Sequence, residues 1–195
     1  MSATGSMPTA RISTGQILYR VHGAADAARW YGAREASWRW DDPARTYGVL
    51  YLGRTLVGPF AETVLRRPWD HEVTWSRVKQ KRSATFVTAR PLRLARLHGP
   101  GLAWFGVTAA QAAADIDPAG PRMAYEVTQQ LSAIVHRDTG LDGIQYRSRF
   151  DSDELCVALF DRADDALALE DEGQALDKDW VLKTLAARNF RLIDL

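Results

Sequence analysis

The chain has one cysteine, no long apolar run and almost no net charge. Cys156 cannot form an internal disulfide, and its apolar neighbours predict packing in the core rather than a nucleophile. Without a signal peptide or a membrane-length apolar run, the sequence predicts a cytosolic (cytoplasmic) protein. A formal net charge of +1 gives no general attraction to nucleic acid or to acidic membranes, so direct binding to either is not expected.

Several common catalytic motifs are absent as well. The sequence has no G-x-x-x-x-G-K-[ST], no G-x-G-x-x-G and no G-x-S-x-G, which excludes a P-loop, a Rossmann fingerprint and a nucleophile elbow. The four histidines are scattered and accompanied by no cysteine pair, so no metal site is predicted. They are His22, His71, His98 and His136.

What the sequence does contain is enough apolar material for one domain. Of its 195 residues, 46% are hydrophobic and 25% are charged, which is typical of a globular protein with a full core. Residues 1–13 are small and polar and are predicted to form a loose tail, with the domain spanning residues 14–195. Seven tryptophans are too many for the deep core alone, so some are expected to line a cleft or an interface.

The segment 47–65, YGVLYLGRTLVGPFAETVL, organises the prediction. Its apolar run between two glycines predicts a buried strand over residues 48–53, followed by a turn and then a helix with Thr55 as its N-cap. Tyr51 then lies in the middle of a strand, and Glu62 lies in the middle of a helix with apolar neighbours. A carboxylate in that position is either solvated or held in a cleft.

The remaining elements are strands with interspersed helices and no regular βαβ pattern, which predicts an α+β fold. Predicted strands cover residues 16–22, 37–40, 73–78, 84–89, 91–97, 141–146 and 155–160. Predicted helices cover residues 24–31, 109–115, 123–137 and 180–189, and residues 164–179 are predicted to be an exposed acidic connection.

Five polar residues at the ends or edges of these elements form the candidate site. They are Arg20, Arg39, Tyr51, Glu62 and Ser148. Each has an ordinary structural explanation by itself: a strand-end arginine, a cation between aromatic rings, a core tyrosine, a solvated glutamate and a turn serine. Only their joint order along the chain points to a function.

That ordered pattern resembles the RES domain, named for its arginine, glutamate and serine. The carrying segments are ILYRV at 17–21, WRWDDPARTYGVLYLGRTLVGPFAET at 38–63 and LDGIQYRSRFDSDELCVALFD at 141–161. The chain departs from the family at Ser37 and Trp38, where a double glycine is usual, and at Asp41, where asparagine is common. The resemblance covers residues 15–165.

The resemblance implies an ADP-ribosyltransferase-like fold with a mixed β core and flanking helices. It also implies the toxin of a bacterial toxin–antitoxin pair that consumes NAD+ as a substrate and needs no other cofactor. The implied reaction breaks the nicotinamide–ribose bond with water or inorganic phosphate as acceptor. The implied partner is an Xre-type helix-turn-helix antitoxin.

The five residues suit this chemistry. Cleavage of an N-glycosidic bond builds positive charge on the ribose, which the Glu62 carboxylate can stabilise. Arg20 or Arg39 can bind the pyrophosphate, and the sequence leaves open which does so. Tyr51 can stack on the nicotinamide or ribose, and Ser148 can bind the carboxamide or orient Glu62. We expect all five to line one cleft.

Two other classes of function stay open. A mono-ADP-ribosyltransferase would share the NAD+ site but add an acceptor-binding loop, for which residues 98–122 are the candidate. A non-enzymatic binding module would use the tryptophans and the basic turns at 79–82 and 147–149. That alternative predicts an exposed Arg20 far from Glu62.

Overall fold

The computed structural model describes residues 6–32, 36–113 and 125–193, and most of their strands join one mixed sheet. In chain order the strands are β1 (Thr9–Ile12), β2 (Ile17–Gly23), β3 (Val49–Gly53), β4 (Glu72–Thr74), β5 (Lys81–Thr88), β6 (Leu92–Leu97), β7 (Gly143–Arg147), β8 (Leu155–Phe160), β9 (Leu167–Ala175) and β10 (Arg191–Ile193). Eight form a sheet of order β1-β6-β7-β8-β3-β2-β5-β9, and β4 pairs with β10 in a small parallel sheet. In the large sheet only β6 and β7 are parallel among these described strands.

The centre of the large sheet is split between β2 and β3. Each strand is fully paired on its outer side, β2 with β5 and β3 with β8. Between β2 and β3, however, the register contains the single pair Tyr19 and Gly53. The two strands therefore diverge beyond that point, and Arg20 on β2 and Tyr51 on β3 face the gap.

Alternating side chains on the strands divide the core into layers. On β3, Leu50 and Leu52 pack in the cluster on one face, whereas Val49 and Tyr51 pack against the cluster on the other face. This is the two-residue period of a strand that is covered on both faces. A third cluster lies between the helices that cover the gap.

Six α-helices lie within the described ranges. They are α1 (Val57–Val64), α2 (Trp75–Lys79), α3 (Pro100–Trp104), α4 (Ala109–Ala112), α5 (Glu126–Asp138) and α6 (Lys178–Ala186). Helix α1 packs on β2 and β3, and its Phe60 meets Trp180 of α6 edge to face at 5.2 Å. The approach of α1 to β3 requires Gly53, because a Cβ there would lie 2.2 Å from Cδ of Pro59. No described helix is long and apolar enough to cross a membrane.

The predicted single-domain α+β fold is confirmed, and most predicted strands are present. The strands predicted over 16–22, 48–53, 84–89, 91–97, 141–146 and 155–160 all appear, with ends shifted by a few residues. The helices predicted over 109–115 and 123–137 appear as α4 and α5, and parts of both predicted spans lie outside the described residues. The helix after the organising strand begins at Val57, so Thr55 does not cap it.

Two predictions near the N-terminal third are wrong because local side chains favour turns. The helix predicted over 24–31 is absent, since the Asp26 carboxylate accepts the Gly23 N–H and closes a turn. The strand predicted over 37–40 is also a turn, in which the Asp41 carboxylate accepts the Trp38 N–H. Short aspartate side chains commonly compete with regular structure in this way.

Three further segments were predicted wrongly, two because they pair with distant strands and one because of a local helix cap. Thr9–Ile12 of the predicted tail form β1 against β6, with Ile12 buried. The strand predicted over 73–78 turns into α2 at Trp75, where Thr74 caps the helix. The predicted acidic connection contains β9, whose outward residues carry the charges; an acidic edge strand discourages pairing with other chains.

Candidate active site

A cleft of about 350 Å³ opens where β2 and β3 diverge, and α1 forms one of its walls. Four of the five predicted residues line it: Arg20, Arg39, Tyr51 and Glu62. They come from two strands, one turn and one helix that the fold brings together. The split in the sheet is therefore what creates the site.

Glu62 is held by two groups at the wall of this cleft. One oxygen, Oε1, accepts the backbone N–H of Arg149 at 2.9 Å and lies 3.5 Å from Nη2 of Arg39. The side chain is 22% exposed, so the carboxylate faces the cleft rather than open solvent. Its orientation is set by the protein before any ligand binds.

Arg39 is buried behind Glu62 as a fixed counter-charge. Its Nη1 donates to the carbonyl of Ala112 at the end of α4, and its guanidinium lies 4.7 Å from the ring centroid of Tyr146. Burial is the largest single influence and opposes the charged form, but the Glu62 carboxylate together with Tyr146, Tyr51 and Cys156 outweighs it, so the pKa of Arg39 is raised. With both ends of its guanidinium engaged, Arg39 is poorly placed to clamp a phosphate.

Arg20 differs from Arg39 because it has no carboxylate partner among the described residues. Its Nη1 donates to the carbonyl of Trp30 at 2.9 Å, and the side chain is buried at the cleft wall. Burial lowers the pKa of Arg20 to about 10, with Asp26 and Tyr31 acting in the opposite direction. A buried cation facing a cleft without an ion pair is suited to an anionic ligand.

The Tyr51 hydroxyl is fully used within the protein. It accepts the backbone N–H of Trp40 at 3.0 Å and donates to the Asp41 carboxylate at 2.8 Å. Burial and the neighbouring Asp41 raise the pKa of Tyr51 well above its usual value. The hydroxyl therefore fixes the turn that carries Arg39, and stacking of the ring on a ligand stays a prediction.

Ser148 does not line the cleft, contrary to the expectation that all five residues would. It is buried in the turn after β7, where its Oγ accepts the N–H of Phe150 at 3.2 Å. This turn presents the N–H of Arg149 to Glu62. Ser148 thus shapes the support of Glu62, and its predicted direct contact with a ligand stays a prediction.

Comparison with known families shows to which family this chain belongs. The family model of the RES domain matches residues 17–181. The chain belongs to the RES domain family. No curated protein sequence matches it. Among solved structures, it is similar to a chain of the crystal structure of the M. tuberculosis MbcT–MbcA toxin–antitoxin complex, with a TM-score of 0.62 and 15% identity over 90% of this chain and 92% of that chain.

The cleft has further lining residues that were not predicted from the sequence. Four cations line the site in addition to the predicted arginines: Arg66, Arg77, Lys81 and Arg149. Trp30 and Trp38, each 40% exposed, also line the cleft. The high tryptophan count indicated a cleft lining of this kind. Lys81 and Arg149 belong to the two basic turns noted in the sequence for the binding-module alternative, whereas nothing in the sequence indicated Arg66 and Arg77.

The binding-module alternative loses support from this arrangement. Arg20 is buried and lines the same cleft as Glu62, whereas the binding-module alternative predicted an exposed and distant Arg20. Within the described ranges, no cluster of three His, Cys, Asp or Glu residues could hold a metal ion. Cys156 is buried, and burial raises the pKa of its thiol well above the usual value, which disfavours the reactive thiolate.

Proposed function

We propose that this RES domain consumes NAD+ by cleaving the bond between nicotinamide and ribose, and that it is the toxin of a toxin–antitoxin pair. The observation that carries the proposal is the anchored carboxylate of Glu62. It faces a cleft of about 350 Å³, is held by the Arg149 N–H and Arg39, and shares the cleft lining with Arg20.

Glu62 suits the charge that develops in this reaction. As the nicotinamide leaves, positive charge builds on the ribose, and a carboxylate fixed beside it stabilises that state more than the ground state. Nicotinamide departs as a neutral molecule, so no general acid is required. The two donors on Oε1 keep the carboxylate from turning away as charge develops.

Arg20 is the better candidate for the pyrophosphate of NAD+. It is buried at the cleft wall without an ion pair among the described residues, whereas Arg39 is engaged with Glu62 and Ala112. Guanidinium groups bind phosphate oxygens through parallel charged hydrogen bonds. We therefore assign ground-state binding to Arg20 and support of Glu62 to Arg39.

Release of nicotinamide from NAD+ by the purified protein tests this function directly. Release in phosphate-free buffer indicates water as acceptor, and release that depends on inorganic phosphate indicates phosphorolysis. Release that requires an added protein, with label retained on that protein, indicates a mono-ADP-ribosyltransferase. Absence of release under all three conditions overturns the proposal.

The proposed partner is an antitoxin of the Xre-type helix-turn-helix class. The support is the similarity in fold to a chain of a toxin–antitoxin complex and the two exposed tryptophans beside the cleft, which offer apolar contact to an inserted segment. A carboxylate on that segment would meet the cleft cations. An antitoxin segment in the cleft would block access of NAD+, so nicotinamide release should fall in proportion to the antitoxin bound. A complex that still releases nicotinamide at the rate of the free protein would contradict this mode of inhibition.

A further inference from the structure

The cleft holds more positive charge than NAD+ can neutralise. Its described lining contains six cations, Arg20, Arg39, Arg66, Arg77, Lys81 and Arg149, against the two carboxylates Asp26 and Glu62. NAD+ carries a net charge of about −1, because its pyridinium offsets one of the two pyrophosphate charges. Arg149 has partners within the protein, and even when it is left out the lining keeps three more positive than negative charges, which is more than NAD+ can match.

Part of this surplus lies on Arg66, Arg77 and Lys81, which we call the basic rim. All three are partly exposed and line the cleft, and none forms an ion pair within the part of the chain that the structure describes. They contrast with Arg39, which is buried against Glu62. The basic rim thus keeps its charges available to a ligand.

Contacts within the protein hold the two arginines of the basic rim in place. The Arg77 Nη2 donates to the carbonyl of Thr63, near the end of α1, at 3.4 Å, and the Arg66 guanidinium lies 4.9 Å from the ring centroid of Trp38. Thr63 follows Glu62 directly, so the basic rim adjoins the proposed catalytic carboxylate. Two anchored guanidinium groups can form a clamp for one phosphate.

The arginines of the basic rim also repel each other. Burial lowers the pKa of Arg77, and the charges of Arg66 and Arg67 lower it further. An anion bound between Arg66 and Arg77 would relieve this repulsion. Like charges held close together without a counter-ion are typical of a binding site rather than of a structural contact.

We propose that the basic rim is a second phosphate subsite of the cleft, distinct from the position of the NAD+ pyrophosphate, and that it takes a dianionic phosphate group. The source of that group is a phosphomonoester on the bound dinucleotide, as in NADP+. The inference rests on the proposed function in one respect, namely that the cleft binds a dinucleotide. Because NADP+ carries about two more negative charges than NAD+, it matches the surplus of the cleft better.

Calorimetric binding to the Glu62→Gln protein in phosphate-free buffer tests the subsite without turnover. The ligands are NAD+, NADP+ and inorganic phosphate. Each is measured with the Glu62→Gln protein and with versions of it that carry one further substitution, Arg66→Ala, Arg77→Ala or Arg77→Lys. Arg67→Ala is the matched control, because Arg67 is exposed, pairs with Asp70 and does not line the cleft. Thermal unfolding of each variant confirms that it is folded.

If the phosphomonoester is the source, NADP+ binds more tightly than NAD+. Arg66→Ala and Arg77→Ala then weaken NADP+ binding by about 10- to 100-fold and NAD+ binding by no more than about 3-fold. Arg77→Lys recovers part of the loss, and Arg67→Ala changes neither ligand. If instead NADP+ binds no more tightly than NAD+, while inorganic phosphate binds saturably together with NAD+ and is lost in the same two alanine variants, the basic rim holds the acceptor of the proposed reaction and the phosphomonoester assignment is wrong.

Two results would overturn the subsite. One is unchanged binding of all three ligands in Arg66→Ala and Arg77→Ala. The other is an equal loss for NAD+ and NADP+, which would assign these arginines to the pyrophosphate. Failure of the proposed function is a separate result, because it would appear as absent nicotinamide release from the protein with Glu62 intact, whatever the binding data show.

Discussion

At the scale of single residues, the two arginines that the sequence could not tell apart have different surroundings. Arg39 is buried between Tyr146 and Glu62, and its guanidinium is engaged at both ends. Arg20 is buried beside Trp30 with a lowered pKa and without a carboxylate partner among the described residues. Identical side chains thus have different surroundings, on which their different proposed roles rest and which a linear pattern of residues does not contain.

Replacement of Glu62 by glutamine should abolish NAD+ consumption while leaving the fold intact. Glutamine keeps the size and an accepting oxygen for the Arg149 N–H but removes the charge that stabilises the transition state. We expect nicotinamide release to fall by about 100- to 1,000-fold, with a small change in Tm. A folded Glu62→Gln protein that releases nicotinamide at close to the original rate would remove Glu62 from the mechanism.

Alanine substitutions of the two arginines should differ in kind. Arg20→Ala removes ground-state binding, so KM for NAD+ should rise by about 10- to 100-fold, with a smaller change in kcat. Arg39→Ala leaves Glu62 with only the Arg149 N–H, so kcat should fall more than KM rises. Steady-state kinetics of both variants decide this assignment, and the opposite pattern would exchange the two roles.

At the scale of elements, a helix or strand could be predicted where its own residues show an apolar run or a regular apolar–polar alternation. The strands β3, β6 and β8 were predictable because apolar runs or alternation mark them in the sequence. The turns at Asp26 and Asp41 were missed, because a hydrogen bond from one short side chain overrode the local propensity. The split between β2 and β3 that forms the cleft depends on pairing of distant strands and has no local signature.

The contact between α1 and β3 gives a prediction about stability at the same scale. Gly53→Ala should destabilise the protein by about 1–3 kcal/mol, since the added Cβ would overlap Pro59 and push α1 away from the sheet. Tm should fall by about 2–10 °C, and nicotinamide release should fall as well because α1 carries Glu62. Gly140→Ala is the matched control, since nothing lies within 4 Å of its added Cβ. An unchanged Tm in Gly53→Ala would mean that α1 is not held by this close contact.

At the scale of the whole molecule, net charge conceals the local charge of the cleft. A formal net charge of +1 gave no indication of an anion-binding surface, yet the described cleft lining has six cations against two carboxylates. The excess is balanced by acidic residues elsewhere, including those on the outward face of β9. The composition therefore excludes a strong electrostatic field around the whole molecule, but it does not show how the charges are distributed in space.

Three buried or partly buried histidines should make the stability of the whole protein fall on acidification. Burial lowers the pKa of His22, His98 and His136, so below the ordinary value near 6.5 the unfolded chain binds more protons than the folded protein. The free energy of unfolding therefore rises with pH between the pKa values of these histidines in the folded protein and the unfolded-state pKa. Their contribution to stability is fully present above about pH 6.5 and is lost as the pH falls through the pKa values of the folded protein. We expect Tm to decrease between about pH 7.5 and about pH 5.5.

His136 allows the contribution of one such group to be isolated, because it lies apart from the cleft. Its ring stacks on Tyr47 with centroids 3.8 Å apart, and burial is the largest cause of its lowered pKa, followed by Arg162. His136→Phe keeps an aromatic ring in this stack but cannot take up a proton. The variant should therefore lose less Tm than the original protein over the same pH interval, as measured by thermal unfolding at matched ionic strength. Equal slopes for the two proteins would show that protonation of His136 is not coupled to unfolding.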